Sequence, residues 1–308
     1  MKNIYDLIIV GGGPAGITAG IYAARQKINT LLITKAFGGQ IARIAVKVEN
    51  YPGLEEISGL ELIQKFEKHL RKQKIDIKND EVMGIKKIGN IFTIKTKNKN
   101  KFEAKAMIIA SGGDPRPLEI KGEKEFIGRG VSYCCLCEGP LFSDKTVAVI
   151  GGGNAGFEAA LFLNNYAKKI YILETGSEVK AFAENQEKAK KTGKVEIITD
   201  AVLKEIGGKD FVDTITYQDK KTGEIKNLAV EGIFVEIGSQ PATSFVKDLV
   251  DFNERDEIKV DYETFQTKTP GLFAAGDVNL GKYKQIITAC GEGTKAALAA
   301  YDYLQKLA

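Results

Sequence analysis

One short plan is written twice in this chain, and it constrains the fold more than any other feature. Leu7-Ile8-Ile9-Val10 runs into Gly11-Gly12-Gly13-Pro14-Ala15-Gly16, and Val147-Ala148-Val149-Ile150 runs into Gly151-Gly152-Gly153-Asn154-Ala155-Gly156. Each G-x-G-x-x-G follows an apolar strand and opens a helix, over 17–24 in the first copy and 157–164 in the second. The next strands, 29–33 and 170–173, give way to Thr34 and Glu174, each 18 residues after the last glycine of its turn. Strand, glycine turn and helix in this order form a dinucleotide fingerprint, because glycines let backbone N–H groups approach a pyrophosphate at the helix N-terminus. A single copy could be an empty tight turn. Two copies with the same spacing predict two nucleotide-binding units.

Each copy continues in the same way. Alternating segments 82–88, 91–96 and 102–105 predict a three-stranded meander, followed by a buried strand Met107-Ile108-Ile109-Ala110 that ends at Ser111-Gly112-Gly113. In the second copy the meander is 202–206, 211–217 and 225–230, and the strand 233–237 ends at Gly238-Ser239-Gln240-Pro241. The last sixty or so residues break the repeat. Gly271-Leu272-Phe273-Ala274-Ala275-Gly276-Asp277 and a helix from near Ala289 to Leu304 have no counterpart in the second copy and must complete the first. The predicted fold is therefore α/β: two Rossmann-like three-layer dinucleotide-binding domains, the second inserted into the first, each with a small β-meander. Residues 1–116 and 244–308 form one domain and residues 117–243 the other. Two linkers, near Pro115 and Pro117 and near Ala242-Thr243, permit hinge motion.

Between the copies lies Ser132-Tyr133-Cys134-Cys135-Leu136-Cys137-Glu138-Gly139. Cysteines three apart at a helix start can close a small disulfide ring, and the helix N-terminus favours a thiolate there. The alternative is half of a zinc site, which needs four ligands; the only other cysteine outside this run is Cys290 and the only histidine is His69. Neither lies near in sequence, so the expected metal content is none.

Composition narrows the partners. The 308 residues are 44% hydrophobic and 27% charged, and 44 basic against 40 acidic residues leave a net charge of +4, too balanced to argue for nucleic acid. Met1 to Asp6 run into a strand without a signal-peptide pattern, and no apolar run has the length of a membrane span, so a cytoplasmic location is expected. In a reducing compartment paired cysteines are redox-active rather than structural. Phe37-Gly38-Gly39-Gln40 and Val48-Glu49-Asn50-Tyr51-Pro52-Gly53 read as ligand-facing loops. Leu60, Ile63, Phe66 and Leu70 mark a helix stripe with His69 beside it on the surface. Lys97, Asn98, Lys99, Asn100 and Lys101 read as a solvated hairpin tip or a dock for an acidic partner.

Taken together, Gly11 to Gly16, Gly38-Gly39-Gln40, Val48 to Gly53, Gly128-Arg129-Gly130-Val131-Ser132-Tyr133-Cys134, Cys137 and Phe273-Ala274-Ala275-Gly276-Asp277-Val278 resemble the low-molecular-weight thioredoxin reductase family, along essentially the whole chain. From Cys137 onward, Glu138-Gly139-Pro140-Leu141-Phe142 and Tyr283-Lys284-Gln285-Ile286-Ile287 are most similar to the flavoprotein part of the F subunit of alkyl hydroperoxide reductase. That protein carries an additional N-terminal thioredoxin-like module; this sequence opens at the flavin domain, so its electrons are expected to leave through a separate protein.

The resemblance implies FAD on Gly11, Gly13, Pro14, Ala15 and Gly16, with Gly39, Gln40, Asn50 and Gly112 and then Gly276, Asp277, Lys284, Gln285 and Ile286 around its ribityl chain and ring. It implies a nicotinamide nucleotide on Gly151, Gly153, Asn154, Ala155, Gly156, Glu174 and Gly238. It places Cys137 against the flavin, gives Cys134 the attack on the partner disulfide, and gives Glu138, where the family usually has Asp, the handling of protons. Cys135, in a spacer position, either forms mixed disulfides or is a bystander. Pro241-Ala242-Thr243 lacks the asparagine usual in that motif.

The implied activity is that of a thioredoxin-disulfide reductase passing electrons from NAD(P)H through FAD and the Cys134–Cys137 pair to a thioredoxin-like or glutaredoxin-like dithiol protein, as a homodimer. Because the cysteines must meet flavin in one step and a protein in another, rotation of the inserted domain is expected. A carboxylate at Glu174 accepts ribose hydroxyls and repels a 2′-phosphate, which predicts NADH over NADPH. The alternatives are a reductase serving a peroxiredoxin-linked carrier and a ferredoxin-fed flavin disulfide reductase docked at 97–101.

Overall fold

The computed structural model describes residues 4–45 and 48–307, and the chain divides into two compact units, residues 1–114 with 239–308 and residues 115–238. In chain order the first unit opens with β1 (Tyr5–Val10), α1 (Pro14–Arg25), β2 (Thr30–Thr34), α2 (Gly39–Ile44) and α3 (Gly59–Arg71). β3 (Asp76–Asn79), β4 (Val82–Ile88), β5 (Ile91–Thr96) and β6 (Lys101–Ile109) follow, and β7 (Gly113–Pro115) leaves the unit. Its sheet runs β3-β2-β1-β6-β5-β4. Leu7, Ile8 and Ile9 are wholly buried because both faces of the sheet are covered where its parallel strands lie; full burial of each such side chain stabilises by about 1.5–3 kcal/mol. In α3, a Ser58–Glu61 capping box fixes the start, and Leu62, Ile63 and Leu70 face inward. Leu60 is 53% exposed, so the inward stripe runs through Leu62 in its place. His69 is exposed.

The second unit holds β8 (Val131–Ser132), α4 (Cys135–Glu138), β9 (Thr146–Ile150), α5 (Asn154–Leu163), β10 (Lys169–Leu173), α6 (Ala183–Lys191) and β11 (Val195–Ile198). The strands β12 (Ala201–Gly208), β13 (Val212–Asp219), β14 (Ile225–Ala229) and β15 (Gly232–Val235) complete it. Its parallel sheet is β11-β10-β9-β15-β8, and β12-β13-β14 form a separate antiparallel sheet. The chain returns to the first unit with β16 (Ser239–Pro241), paired with β7, then β17 (Leu272–Ala274) and the long α7 (Ile286–Gln305).

Both units are doubly covered α/β sheets of the expected class, and they differ in two ways from the sequence reading. The third meander strand and the buried strand of the first unit are one strand, β6. It pairs antiparallel with β5 over its first residues and parallel with β17 at Met107, Ile108 and Ile109. Its burial changes from alternating to continuous on the way, so one strand carries two sequence patterns. The second difference concerns β17, whose spatial counterpart is β8: β17 flanks β6 as β8 flanks β15. The last parallel strand comes from the end of the chain in one unit and from the segment before the cysteines in the other.

At the hairpin tip, Lys97 pairs with Glu81 and Lys101 with Glu103, so the basic run is partly neutralised. Among the described residues no helix is long and apolar enough to cross a membrane.

Candidate functional site

In the first unit, Gly13 is the N-cap of α1, extended and without a side-chain cap, with Pro14 in the first turn. A Cβ on Gly16 would lie 2.0 Å from the Gly11 carbonyl oxygen, so only glycine allows the helix to start this close to the strand. A Cβ on Gly13 would meet nothing within 4 Å. A turn held close only by glycines, ending in open space over uncapped N–H groups, is a cradle that fits a pyrophosphate.

The turn after β17 lies against the same helix. Gly276, at φ +80°, packs on Ala15, and its N–H donates to Glu292 Oε2 at 2.7 Å. Asp277 then accepts from Gln40 Nε2 at 2.5 Å. Burial pushes the Asp277 carboxyl up to about 6, with Lys284 opposing and Glu292 adding to the rise. Asn50 Nδ2 donates to Gln285 Oε1 at 3.2 Å, and Gln285 is the N-cap of α7, which begins at Ile286 rather than near Ala289. The Lys284 ammonium donates to the Asp277 and Asn279 carbonyls and pairs with Glu257 at 3.0 Å. Gly39 begins the short helix α2 where the sequence reads as loop, and the Gly112 carbonyl accepts from the Ala242 N–H. These segments thus present two paired sets of polar side chains, Gln40 with Asp277 and Asn50 with Gln285, in the unit that holds the first glycine turn.

The second unit repeats the cradle. Gly153 caps α5 without a side-chain bond, Asn154 and Ala155 form its first turn, and a Cβ on Gly156 would lie 1.9 Å from the Gly151 oxygen. Glu174 closes the turn: Oε2 accepts the Gly152 N–H and Oε1 the Gly176 N–H, each at 2.7 Å. Asn154 Oδ1 accepts from the Phe182 N–H at 2.7 Å. Gly238, at φ +98°, accepts from the Arg116 N–H.

Beyond the end of β8 lies the cysteine turn, the place in its sheet that the Asp277 turn takes beyond β17. Cys134 and Cys137 are joined as a disulfide, Cα atoms 5.3 Å apart. The Cys134 N–H donates to Ser132 Oγ at 3.1 Å, and Cys134 Sγ accepts the Cys137 N–H at 3.2 Å at the start of α4. Burial pushes the Glu138 carboxyl upward while the Ser132 hydroxyl pulls it back. Cys135 is half-buried; its thiol donates to Glu236, and burial with that carboxylate pushes it up to about 12. Glu236 itself is pushed up to about 7, mainly by burial, with Glu158 adding and the Cys135 thiol opposing. Among the described residues no group of three or more His, Cys, Asp or Glu side chains is gathered to hold a metal ion.

The acids Glu123, Glu158, Glu236 and Glu292 and the hydroxyl of Ser132 are absent from the sequence reading. One signal was available: Glu236 follows the apolar run Ile233-Phe234-Val235, the place in the sheet where α/β proteins gather ligands.

The profile of the family described as pyridine nucleotide-disulphide oxidoreductase matches residues 5–293. The F subunit of alkyl hydroperoxide reductase in Pseudomonas putida is 41% identical over 307 residues, covering 98% of this chain and 59% of that protein. Its counterpart in Staphylococcus aureus is 41% identical over 304 residues, 98% of this chain and 60% of that protein. The chain therefore spans about three fifths of the length of these relatives. Among solved structures, thioredoxin reductase from Streptococcus pyogenes has 37% identity and a TM-score of 0.93, covering 99% of this chain and 100% of that one. Thioredoxin reductase from Giardia duodenalis has 32% identity and a TM-score of 0.94 with the same coverage.

Proposed function

The chain belongs to the pyridine nucleotide-disulphide oxidoreductase family, a class of FAD-dependent enzymes using a nicotinamide cofactor, and from that premise we propose that it reduces a separate thioredoxin-like or glutaredoxin-like protein, taking electrons from NADH. The observation that carries this reading is the closed Cys134–Cys137 pair at the start of α4, in the unit that also carries the second glycine turn.

FAD fits the first unit. Gly11 and Gly16 hold the turn tight, the open space at Gly13 over the start of α1 leaves room for its pyrophosphate, and Gln40, Asn50, Asp277 and Gln285 offer donors and acceptors for its ribityl chain and ring. When bound, FAD supplies hydride acceptance from the nicotinamide and two-electron reduction of the disulfide. The chain's own residues do the rest. The reduced Cys134 thiolate attacks a sulfur of the partner disulfide, forming a mixed disulfide and releasing one partner thiolate. Cys137 then attacks Cys134 Sγ, releasing the second partner thiolate and reforming the Cys134–Cys137 bond, so two electrons pass to the partner. Glu138, with its carboxyl raised by burial, gives and takes the protons these thiolates need.

Glu174 supports NADH as the donor. Two of the four acceptor positions of its carboxylate are committed to Gly152 and Gly176, which fixes the group in place and leaves two for ribose hydroxyls. Anaerobic stopped-flow reduction with NADH and NADPH in parallel, followed by reoxidation with thioredoxin-like and glutaredoxin-like proteins, tests donor and acceptor together. The 41% identity to the F subunit of alkyl hydroperoxide reductase favours a second reading, in which the acceptor is a carrier that serves a peroxiredoxin. Fastest reduction of such a carrier decides for that reading. The expected assembly is a homodimer, measured by light scattering.

A further inference from the structure

Glu123 is 1% exposed, which is unusual for a carboxylate, since burying a charge is costly unless each oxygen is well bonded. Three donors meet it. Oε1 accepts the Tyr133 phenol at 2.6 Å and the Leu118 N–H at 2.6 Å, and Oε2 accepts the Glu119 N–H at 2.9 Å. Burial and this carboxylate push the Tyr133 phenol well above its ordinary value, so its proton stays in the bond.

The bonded groups come from two places with different tasks. Leu118 and Glu119 belong to the segment by which the chain enters the second unit, just past Pro115 and Pro117. That segment is itself anchored on β12: the Ile206 N–H donates to the Lys121 carbonyl at 2.9 Å, and Lys121 pairs with Glu205 at 2.6 Å. Tyr133, in turn, is the residue before Cys134, and its ring packs on the apolar cluster formed by β12, β13 and β15. An apolar side chain at 123 would fill the volume at lower cost but would leave the Tyr133 hydroxyl and two backbone N–H groups without their acceptor. The carboxylate therefore does what volume alone does not: it joins the entering segment to Tyr133, the residue next to the disulfide's Cys134.

We propose that Glu123 is a positioning residue for the redox pair, setting the place of Cys134 through Tyr133 and tying that place to the entering segment through the Leu118 and Glu119 N–H groups. The inference rests on the reading of Cys134 and Cys137 as the working pair. Thiol–disulfide exchange needs three sulfurs in line, so a small displacement of Cys134 slows attack while leaving flavin chemistry in the other unit untouched.

The test uses FAD-loaded wild-type protein, Tyr133→Phe, Glu123→Gln and the double variant, with two readouts. The first is the rate of flavin reduction by NADH; the second is the rate at which the NADH-reduced protein reduces the dye disulfide DTNB and a thioredoxin. The expected result is flavin reduction within about twofold of wild type in all variants, and disulfide reduction lowered about tenfold in Tyr133→Phe, less in Glu123→Gln, whose amide oxygen still accepts the phenol, and no further in the double than in Tyr133→Phe, since both act on one link. Tyr133→Phe removes a single oxygen from a ring that stays in its apolar cluster, so it decides the matter if Glu123→Gln yields no folded protein. Disulfide reduction within about twofold of wild type in Tyr133→Phe overturns the proposal, as do losses that multiply in the double variant or fall in parallel with flavin reduction. A wild-type protein whose flavin is reduced but which never reduces a disulfide overturns the redox reading itself, and this inference with it.

Discussion

Nucleotide choice gives a prediction whose size can be worked from Glu174. Glu174→Gln keeps the shape of the side chain and one acceptor oxygen but removes the charge; Glu174→Ser removes both. In the wild type a 2′-phosphate would bring a second negative group beside a carboxylate held by two 2.7 Å bonds, which cannot swing away without freeing the Gly152 and Gly176 N–H groups. At about 4 Å the repulsion is roughly 1 kcal/mol in water and about 4 kcal/mol at an intermediate dielectric. Glu174 is half-buried, so the expected NADH preference lies between those limits, about fivefold to a thousandfold in kcat/KM. Steady-state kinetics with both donors should therefore show a strong preference in the wild type and a much smaller one in Glu174→Gln. Hydrogen bonds to a charged group contribute about 1.5–3 kcal/mol each, and water replaces part of that at a half-exposed turn, so Glu174→Ser should also destabilise the second unit by roughly 1–3 kcal/mol. Wild-type protein that uses NADPH as well as NADH, or a preference unchanged in Glu174→Gln, refutes the electrostatic argument.

Gly13→Val should fold normally and purify colourless, because a Cβ there meets no protein atom yet fills the space over the α1 N–H groups; a yellow variant with normal FAD content would contradict this. The Glu236 carboxyl, ordinarily at 4.5, is raised to about 7, so it favours the folded state below its unfolded value and that contribution is lost as pH rises through about 7; relative to Glu236→Gln, wild-type stability should fall by roughly 3 kcal/mol over this window, read from denaturant melts at pH 5 and 8. An unchanged difference between those pH values in Glu236→Gln counts against the buried carboxyl. Cys134→Ser should abolish partner reduction and show a long-wavelength charge-transfer band from the Cys137 thiolate, Cys137→Ser should lose turnover without the band, and Cys135→Ser should keep most activity; a dead Cys135→Ser beside an active Cys134→Ser would reassign the pair.

The parts legible in sequence are those built from local pattern. The two glycine turns, the apolar strands before them and the family resemblance all stand in the structure and the comparisons, because a strand buried on both faces and a turn with no room for Cβ each leave a local trace. What was lost depends on pairing across the chain. β6 reads as two elements because its neighbour changes from β5 to β17 along its length. β8 is two residues long and visible only through its pairing with β15, so the link between the cysteine turn and the sheet went unseen. α6 buries only Ala189 and has no apolar stripe to announce it. Glu123, Glu236 and Glu292 look like ordinary charged residues until the fold brings Tyr133, Cys135 and Gly276 to them.

Electron capacity tests the central claim most directly. Anaerobic titration of FAD-loaded protein with dithionite, followed by flavin absorbance and thiol counting, should take up about four electrons per chain in the wild type, two for the flavin and two for the Cys134–Cys137 bond, and expose two new thiols. The Cys134→Ser, Cys137→Ser double variant should take up about two, with an unchanged flavin spectrum. A wild-type chain that stops at about two electrons, with no new thiols, contradicts the account.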